Sequence, residues 1–142
     1  AGIRSQRGFA KGDNVTEKNE ETGYTVDKEM KGAIHMIQMN QNDFHNYIHT
    51  GDKPVLVDFS APWCVYCRRI DPAMKKLSEN LEGVVVGKVN IDDEPELARR
   101  ERIEVVPTLV LYHKGQALGS IVAPESRARI ESFVRETLGE GI

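Results

Sequence analysis

The apolar run Val55-Leu56-Val57-Asp58-Phe59 passes through Ser60-Ala61-Pro62 straight into Trp63-Cys64-Val65-Tyr66-Cys67, and this junction constrains the fold more than any other stretch. An apolar run of that length, with one acid inside it, suits a strand covered on both faces, as in an α/β sheet. Two cysteines three apart suit one face of a helix, where residues i and i+3 lie about 5 to 6 Å from each other. A strand feeding a helix puts the pair at the strand's carboxyl end, where open α/β sheets keep their sites. Cys64 and Cys67 are the only cysteines of the chain. They can close a short disulfide or open to a dithiol, and no disulfide framework exists elsewhere. If the helix starts at the motif, its dipole and unpaired N–H groups favour an anion at the first cysteine, which makes Cys64 the expected nucleophile.

Two other fates are open to such a pair. A zinc site wants four ligands, and His35, His45, His49 and His113 show no spacing that completes a set with the cysteines. Inert core thiols would leave the strand-to-helix placement without a purpose. Asp58 stands in the middle of the apolar strand, where an unpaired carboxylate is costly and its proton affinity is expected to rise. Such an acid near the second thiol can take the proton that Cys67 loses before it attacks, although an acid at a frayed strand end would look the same in sequence.

Further along, Ile70, Met74, Leu77 and Leu81 continue a helical stripe that begins at Cys67, so Cys67 is expected to face the core and Cys64 to stay accessible. Pro72 falls inside that helix. Val84 to Asp92 predicts a second apolar strand, and Asp93-Glu94-Pro95-Glu96 predicts a helix start with Asp93 as cap and Glu96 as the returning side chain. Thr108 to Tyr112 and Gln116 to Val122 flank Lys114-Gly115 as a hairpin. Ser126 caps a last helix with the stripe Ile130, Phe133, Val134 and Leu138, and Gly139 follows it. Before the first cysteine, Ile34 to Met39 predicts a strand, Asn40 or Asn42 a cap, and Phe44, Tyr47 and Ile48 a helix face ending at Gly51. Residues 1–33 carry six bases and six acids with few large apolar side chains and predict a flexible polar extension; 34–142 form the domain. The order is strand, helix, strand, helix, strand, helix, strand, strand, helix, so the fold class is α/β with a central mixed sheet flanked by helices on both faces.

From about Ile37 to Leu138 the sequence resembles the thioredoxin family. The resemblance rests on Val57-Asp58-Phe59, Trp63-Cys64-Val65-Tyr66-Cys67, Pro72, Lys88-Val89-Asn90-Ile91-Asp92 and Val106-Pro107-Thr108, all in the family's order. It implies the thioredoxin fold and a redox cycle in which Cys64 attacks a substrate disulfide and Cys67 resolves the mixed disulfide. It further implies that Asp58, moderated by Lys88, accepts the proton. Trp63, Val65, Tyr66, Val106, Pro107 and Ala123 are then the partner-facing residues, with a cis bond at Val106-Pro107. The chain departs from the family in three places. Val65-Tyr66 stands for the usual Gly-Pro, Ser60 for a common aromatic, and Ala123 for a usual glycine. The Val65-Tyr66 pair is among the main determinants of redox poise, and a tyrosine there also occurs in glutaredoxins and some disulfide isomerases.

A chain of 142 residues, 39% hydrophobic and 29% charged, with net charge -3, suits one globular domain. It gives no reason to expect nucleic acid or a membrane as partner. The expected function is a thiol-disulfide oxidoreductase that reduces protein disulfides without a metal or bound cofactor. An external reductase such as a flavoprotein would supply electrons. A cytoplasmic monomer is expected; the alternatives are an exported oxidase or isomerase, which the polar leader and Tyr66 would suit, and a binding adaptor without turnover.

Overall fold

In the computed structural model, residues 36–139 are described, together with two short strands, β1 (Thr16–Lys18) and β2 (Thr25–Asp27), which pair antiparallel with Thr16 opposite Asp27. The rest of the expected extension over 1–33, and Ile34 of the expected first core strand, lie outside the described residues. The elements that follow are β3 (Ile37–Gln38), α1 (Gln41–His49), β4 (Val55–Ser60), α2 (Val65–Asn80) and β5 (Val85–Asn90). They continue with α3 (Pro95–Arg100), β6 (Thr108–His113), β7 (Gln116–Val122) and α4 (Arg127–Leu138), in the order expected from the sequence.

The five strands from β3 to β7 form one sheet in the order β3-β5-β4-β6-β7. β5 runs parallel to β3 and β4, whereas β6 is antiparallel to both β4 and β7. β4 is therefore the central strand, and all six of its residues are buried. Its side chains alternate between two cores, as the period of a strand demands. Val55, Val57 and Phe59 pack with Phe44 and Ile48 of α1 and Leu97 of α3, while Leu56 packs with Ile70, Met74 and Leu77 of α2 and Ile130 and Val134 of α4. The same alternation turns Asp58 toward the α2 face.

Local chemistry sets the element ends. At α1 the Asn40 side chain accepts the Asp43 N–H at 2.8 Å and the Asp43 carboxylate accepts the Asn40 N–H at 3.1 Å, a reciprocal cap. At β6–β7, Lys114 (φ 55°) and Gly115 (φ 82°) supply the two positive φ values of a tight hairpin turn. Leu118 is the extra residue of a bulge, since Leu111 faces Gly119 while Tyr112 faces Ala117. The Ser126 hydroxyl accepts the Arg129 N–H at 3.1 Å and starts α4, which Gly139 (φ 85°) ends.

The start of α3 differs from the sequence reading. Glu94, not Asp93, occupies the cap, and it makes no side-chain capping bond. Asn90 captures the turn instead: its side chain accepts the Asp92 N–H at 2.9 Å and its carbonyl the Asp93 N–H at 3.1 Å, which draws Asp93 into the turn. The Glu94 carboxylate accepts the Gln41 N–H at 3.2 Å, and Glu96 pairs with Arg99 at 2.8 Å rather than reaching back.

Candidate active site

Helix α2 begins directly after Cys64. Cys64 keeps an extended backbone (φ -90°, ψ 110°), and its Sγ accepts the N–H of Cys67 at 3.1 Å. That N–H belongs to the set a helix leaves unpaired at its first turn, so the bond and the helix dipole together favour negative charge on Cys64. The two cysteines form a disulfide, with Cα atoms 5.2 Å apart, and the structure is the oxidised form. Cys67 is 1% exposed and Cys64 8%. The order agrees with the helical stripe, yet Cys64 is more covered than an open helix tip, because Ala61, Tyr66, Ile91 and Val106 pack around the pair.

Across from α2, the Val106-Pro107 bond is cis, and the Val106 carbonyl oxygen lies 3.8 Å from Cys64 Sγ. The Pro107 carbonyl accepts the Ala123 N–H at 2.9 Å, and the neighbouring Pro124 carbonyl accepts the Tyr66 hydroxyl at 2.8 Å. A continuous chain of contacts thus runs from Cys64 through Val106-Pro107 and Ala123-Pro124 back to Tyr66 in the first turn of α2. Trp63 is 64% exposed, and its indole N–H donates to Asp92 at 3.3 Å. Val65 is also exposed, as are Val105 and Val122, which the sequence did not single out. Val105 precedes Val106, and Val122 faces Thr108 across the β6–β7 ladder, so both flank Pro107. These exposed apolar side chains make a candidate surface for meeting partners. Their sequence signal was faint: each sits next to a residue already chosen.

Ala123 adopts φ 47°, a left-handed conformation that costs a residue with a Cβ about 1 to 2 kcal/mol. Ala123→Gly relieves this, while its freer unfolded chain takes back about 0.4 to 1 kcal/mol. The expected outcome is a net gain of about 0.5 kcal/mol in urea unfolding; a loss of stability would show that the methyl group makes contacts worth more than the backbone conformation costs.

On the α2 face of the sheet, Asp58 is fully buried and neither carboxylate oxygen has a hydrogen-bond partner among the described residues. Burial raises its pKa from 3.8 to about 7; the Lys88 charge opposes this rise and the Asp71 charge adds to it. Lys88 sits beside Asp58 in the parallel β4–β5 register, yet its ammonium bonds not to Asp58, the partner the resemblance implied, but to both carboxylate oxygens of Asp71, each at 2.9 Å. Asp71 was missed by sequence reasoning. Its only signal was position, four residues after Cys67 and so on the same side of α2. Among the described residues, no three His, Cys, Asp or Glu side chains gather as a metal set.

The sequence model of the Thioredoxin family matches residues 35–136. The thioredoxin of Porphyra purpurea is 33% identical over 70% of this chain and 94% of its own length, and that of Chlamydia caviae is 36% identical over 68% and 90%. The bifunctional thioredoxin reductase/thioredoxin of Mycobacterium leprae is 31% identical over 92% of this chain, which spans only 31% of that longer protein. Among solved structures, Malassezia sympodialis thioredoxin superposes with a TM-score of 0.66 at 26% identity, over 75% of this chain and 95% of its own. A mutant thioredoxin from Halobacterium salinarum shares the fold, with a TM-score of 0.67 at 24% identity over 74% and 92%. The family match covers the whole βα framework around Cys64 and Cys67, and relatives about a third identical align over nearly their full length: the chain belongs to the thioredoxin family.

Proposed function

We propose that this thiol-disulfide oxidoreductase works in the reducing direction on protein disulfides, with Cys64 as nucleophile and Cys67 as resolving thiol. The observation that carries the reading is the Cys64–Cys67 disulfide at the start of α2, rimmed by exposed Trp63 and Val65, together with an Asp58 that is buried on the α2 face without a hydrogen-bond partner among the described residues. In the reduced protein the Cys64 thiolate attacks one sulfur of the substrate disulfide, forming a mixed disulfide and expelling the first substrate thiolate. Cys67 then gives its proton to Asp58 and attacks Cys64 Sγ, which releases the second substrate thiolate and closes the Cys64–Cys67 bond. Lys88 moderates the charge on Asp58. Trp63, Val65, Tyr66, Val106, Pro107 and Ala123 form the platform for the substrate chain, the backbone of Val106 offering a strand-like contact.

As a thioredoxin, the protein has disulfide-bearing substrates and a reductase as partners. The Mycobacterium leprae relative, whose name joins thioredoxin reductase and thioredoxin in one chain, supports an electron donor of the flavoprotein reductase type. We place the cycle in the cytoplasm, with the chain acting as a monomer, in line with its resemblance to the thioredoxins of Porphyra purpurea and Chlamydia caviae.

A second reading, a thiol oxidase or isomerase in an exported setting, is favoured by Tyr66, which with Val65 stands in place of the usual Gly-Pro and donates its hydroxyl to the Pro124 carbonyl. Equilibration with defined glutathione ratios separates the two. A reduction potential near the roughly -270 mV of thioredoxin supports the reductase, and one near the roughly -120 mV of strong oxidants supports the opposite flow.

A further inference from the structure

Lys88 faces a choice between two acids, and the structure shows which one it takes. Asp58 lies directly across the β4–β5 ladder from it, about one strand spacing (roughly 4.8 Å) away along the sheet and on the same face. Yet Asp58 is left with both oxygens unpartnered, while Lys88 Nζ donates to both oxygens of Asp71 at 2.9 Å. The side chains of Lys88 and Asp71 keep 23% and 26% of their exposure, so their pairing strips less water from the ions than a pair at the fully buried Asp58 would.

We propose that Asp71 is a positioning residue: by holding the Lys88 ammonium against α2, it keeps that cation from binding Asp58 and leaves the buried carboxyl a stronger proton acceptor for Cys67. The inference rests on the reading of Asp58 as the base. Asp71 acts twice in one direction, since it occupies the nearest cation and adds a like charge of its own, and each effect favours protonated Asp58. Among the described residues no second cation competes: Leu109, its register partner on β6, belongs to the apolar core that Ile130, Phe133 and Val134 of α4 share, and the charges acting on Asp58 are those of Lys88 and Asp71.

An ordinary half-exposed ion pair would contribute little beyond stability. The distinguishing readout is therefore the titration of Asp58. In the oxidised full chain, the infrared carbonyl band of protonated Asp58, identified by its loss in Asp58→Asn, is followed against pH for the parent, Asp71→Asn and Asp71→Glu. With Asp71→Asn the midpoint should fall by about one pH unit, a tenfold loss of proton affinity, and Asp71→Glu should stay near the parent. A midpoint that stays or rises in Asp71→Asn overturns the proposal. Single-turnover release of substrate from the mixed disulfide, measured across pH, should shift by the same amount. If the infrared midpoint falls while the release profile does not move, the coupling of Asp71 to Asp58 stands and the base role of Asp58 is what fails.

Discussion

Asp58→Asn becomes more stable than the parent chain as pH rises, its advantage growing by about 4 kcal/mol between about pH 3.5 and pH 8. The sign follows from where the proton is held. With the carboxyl at about 7 in the fold and 3.8 as its ordinary value, both states are protonated below 3.8 and the group has no effect. Between those values the unfolded chain is ionised and the folded chain keeps its proton, so the parent loses about 1.4 kcal/mol per pH unit. Above about 7 the loss is complete, because the fold must then hold an unpartnered anion. Urea unfolding of the oxidised proteins at several pH values measures the difference directly. Its kinetic counterpart is a mixed disulfide at Cys64 that forms at a near-normal rate and resolves slowly near neutral pH, with partial rescue as hydroxide takes over the proton. A constant difference between the two proteins across pH, together with normal resolution, would return Asp58 to the structural acids.

Larger still is the effect expected at the cysteines. Either Cys64→Ser or Cys67→Ser should reduce insulin turnover to the uncatalysed level, a loss of several orders of magnitude, since each removes a sulfur that the cycle needs. The two variants then part ways. Cys67→Ser retains the thiol that caps α2 and accepts the Cys67-position N–H, so it should accumulate a substrate adduct visible by mass and cleaved by dithiothreitol. Cys64→Ser leaves a thiol that is 1% exposed in the parent fold and should form little adduct. Equal adduct formation by both variants would reverse or erase the assigned roles, and a Cys64→Ser protein that still meets its biological requirement would favour an adaptor.

The parts of the fold that could be read from sequence are those in which one local pattern decides one element. Val55 to Phe59 is apolar except for Asp58 because β4 is covered on both faces, and the Ile70, Met74, Leu77 stripe is α2 meeting that sheet. Lys114-Gly115 has the residues its turn demands. Failures occur where distant residues compete. The Asp93 cap loses to Asn90, and Glu94 is engaged by Gln41, fifty-three residues earlier in the chain. Asp71 carries no mark of its own in sequence, since a charged residue on an amphipathic helix is ordinarily solvated, and only the packing of α2 against β5 brings Lys88 within its reach. Val105 and Val122 escaped for the same reason: an exposed valine gains meaning only when folding sets it beside a disulfide.

The position of β4 between β5 and β6 gives the protein two clocks. Amides of this doubly bonded, wholly buried strand can exchange with solvent deuterium only when the domain opens globally, whereas β7, bonded on one side and largely exposed, can fray by itself. Asp58 rides on the slow strand, and Val122, which leads into Ala123 of the proposed platform, rides on the fast one. Under the proposed function the outer rim can therefore adapt to targets of different shape while the acid's surroundings remain constant from one target to the next, so that breadth of recognition need not disturb the proton's affinity.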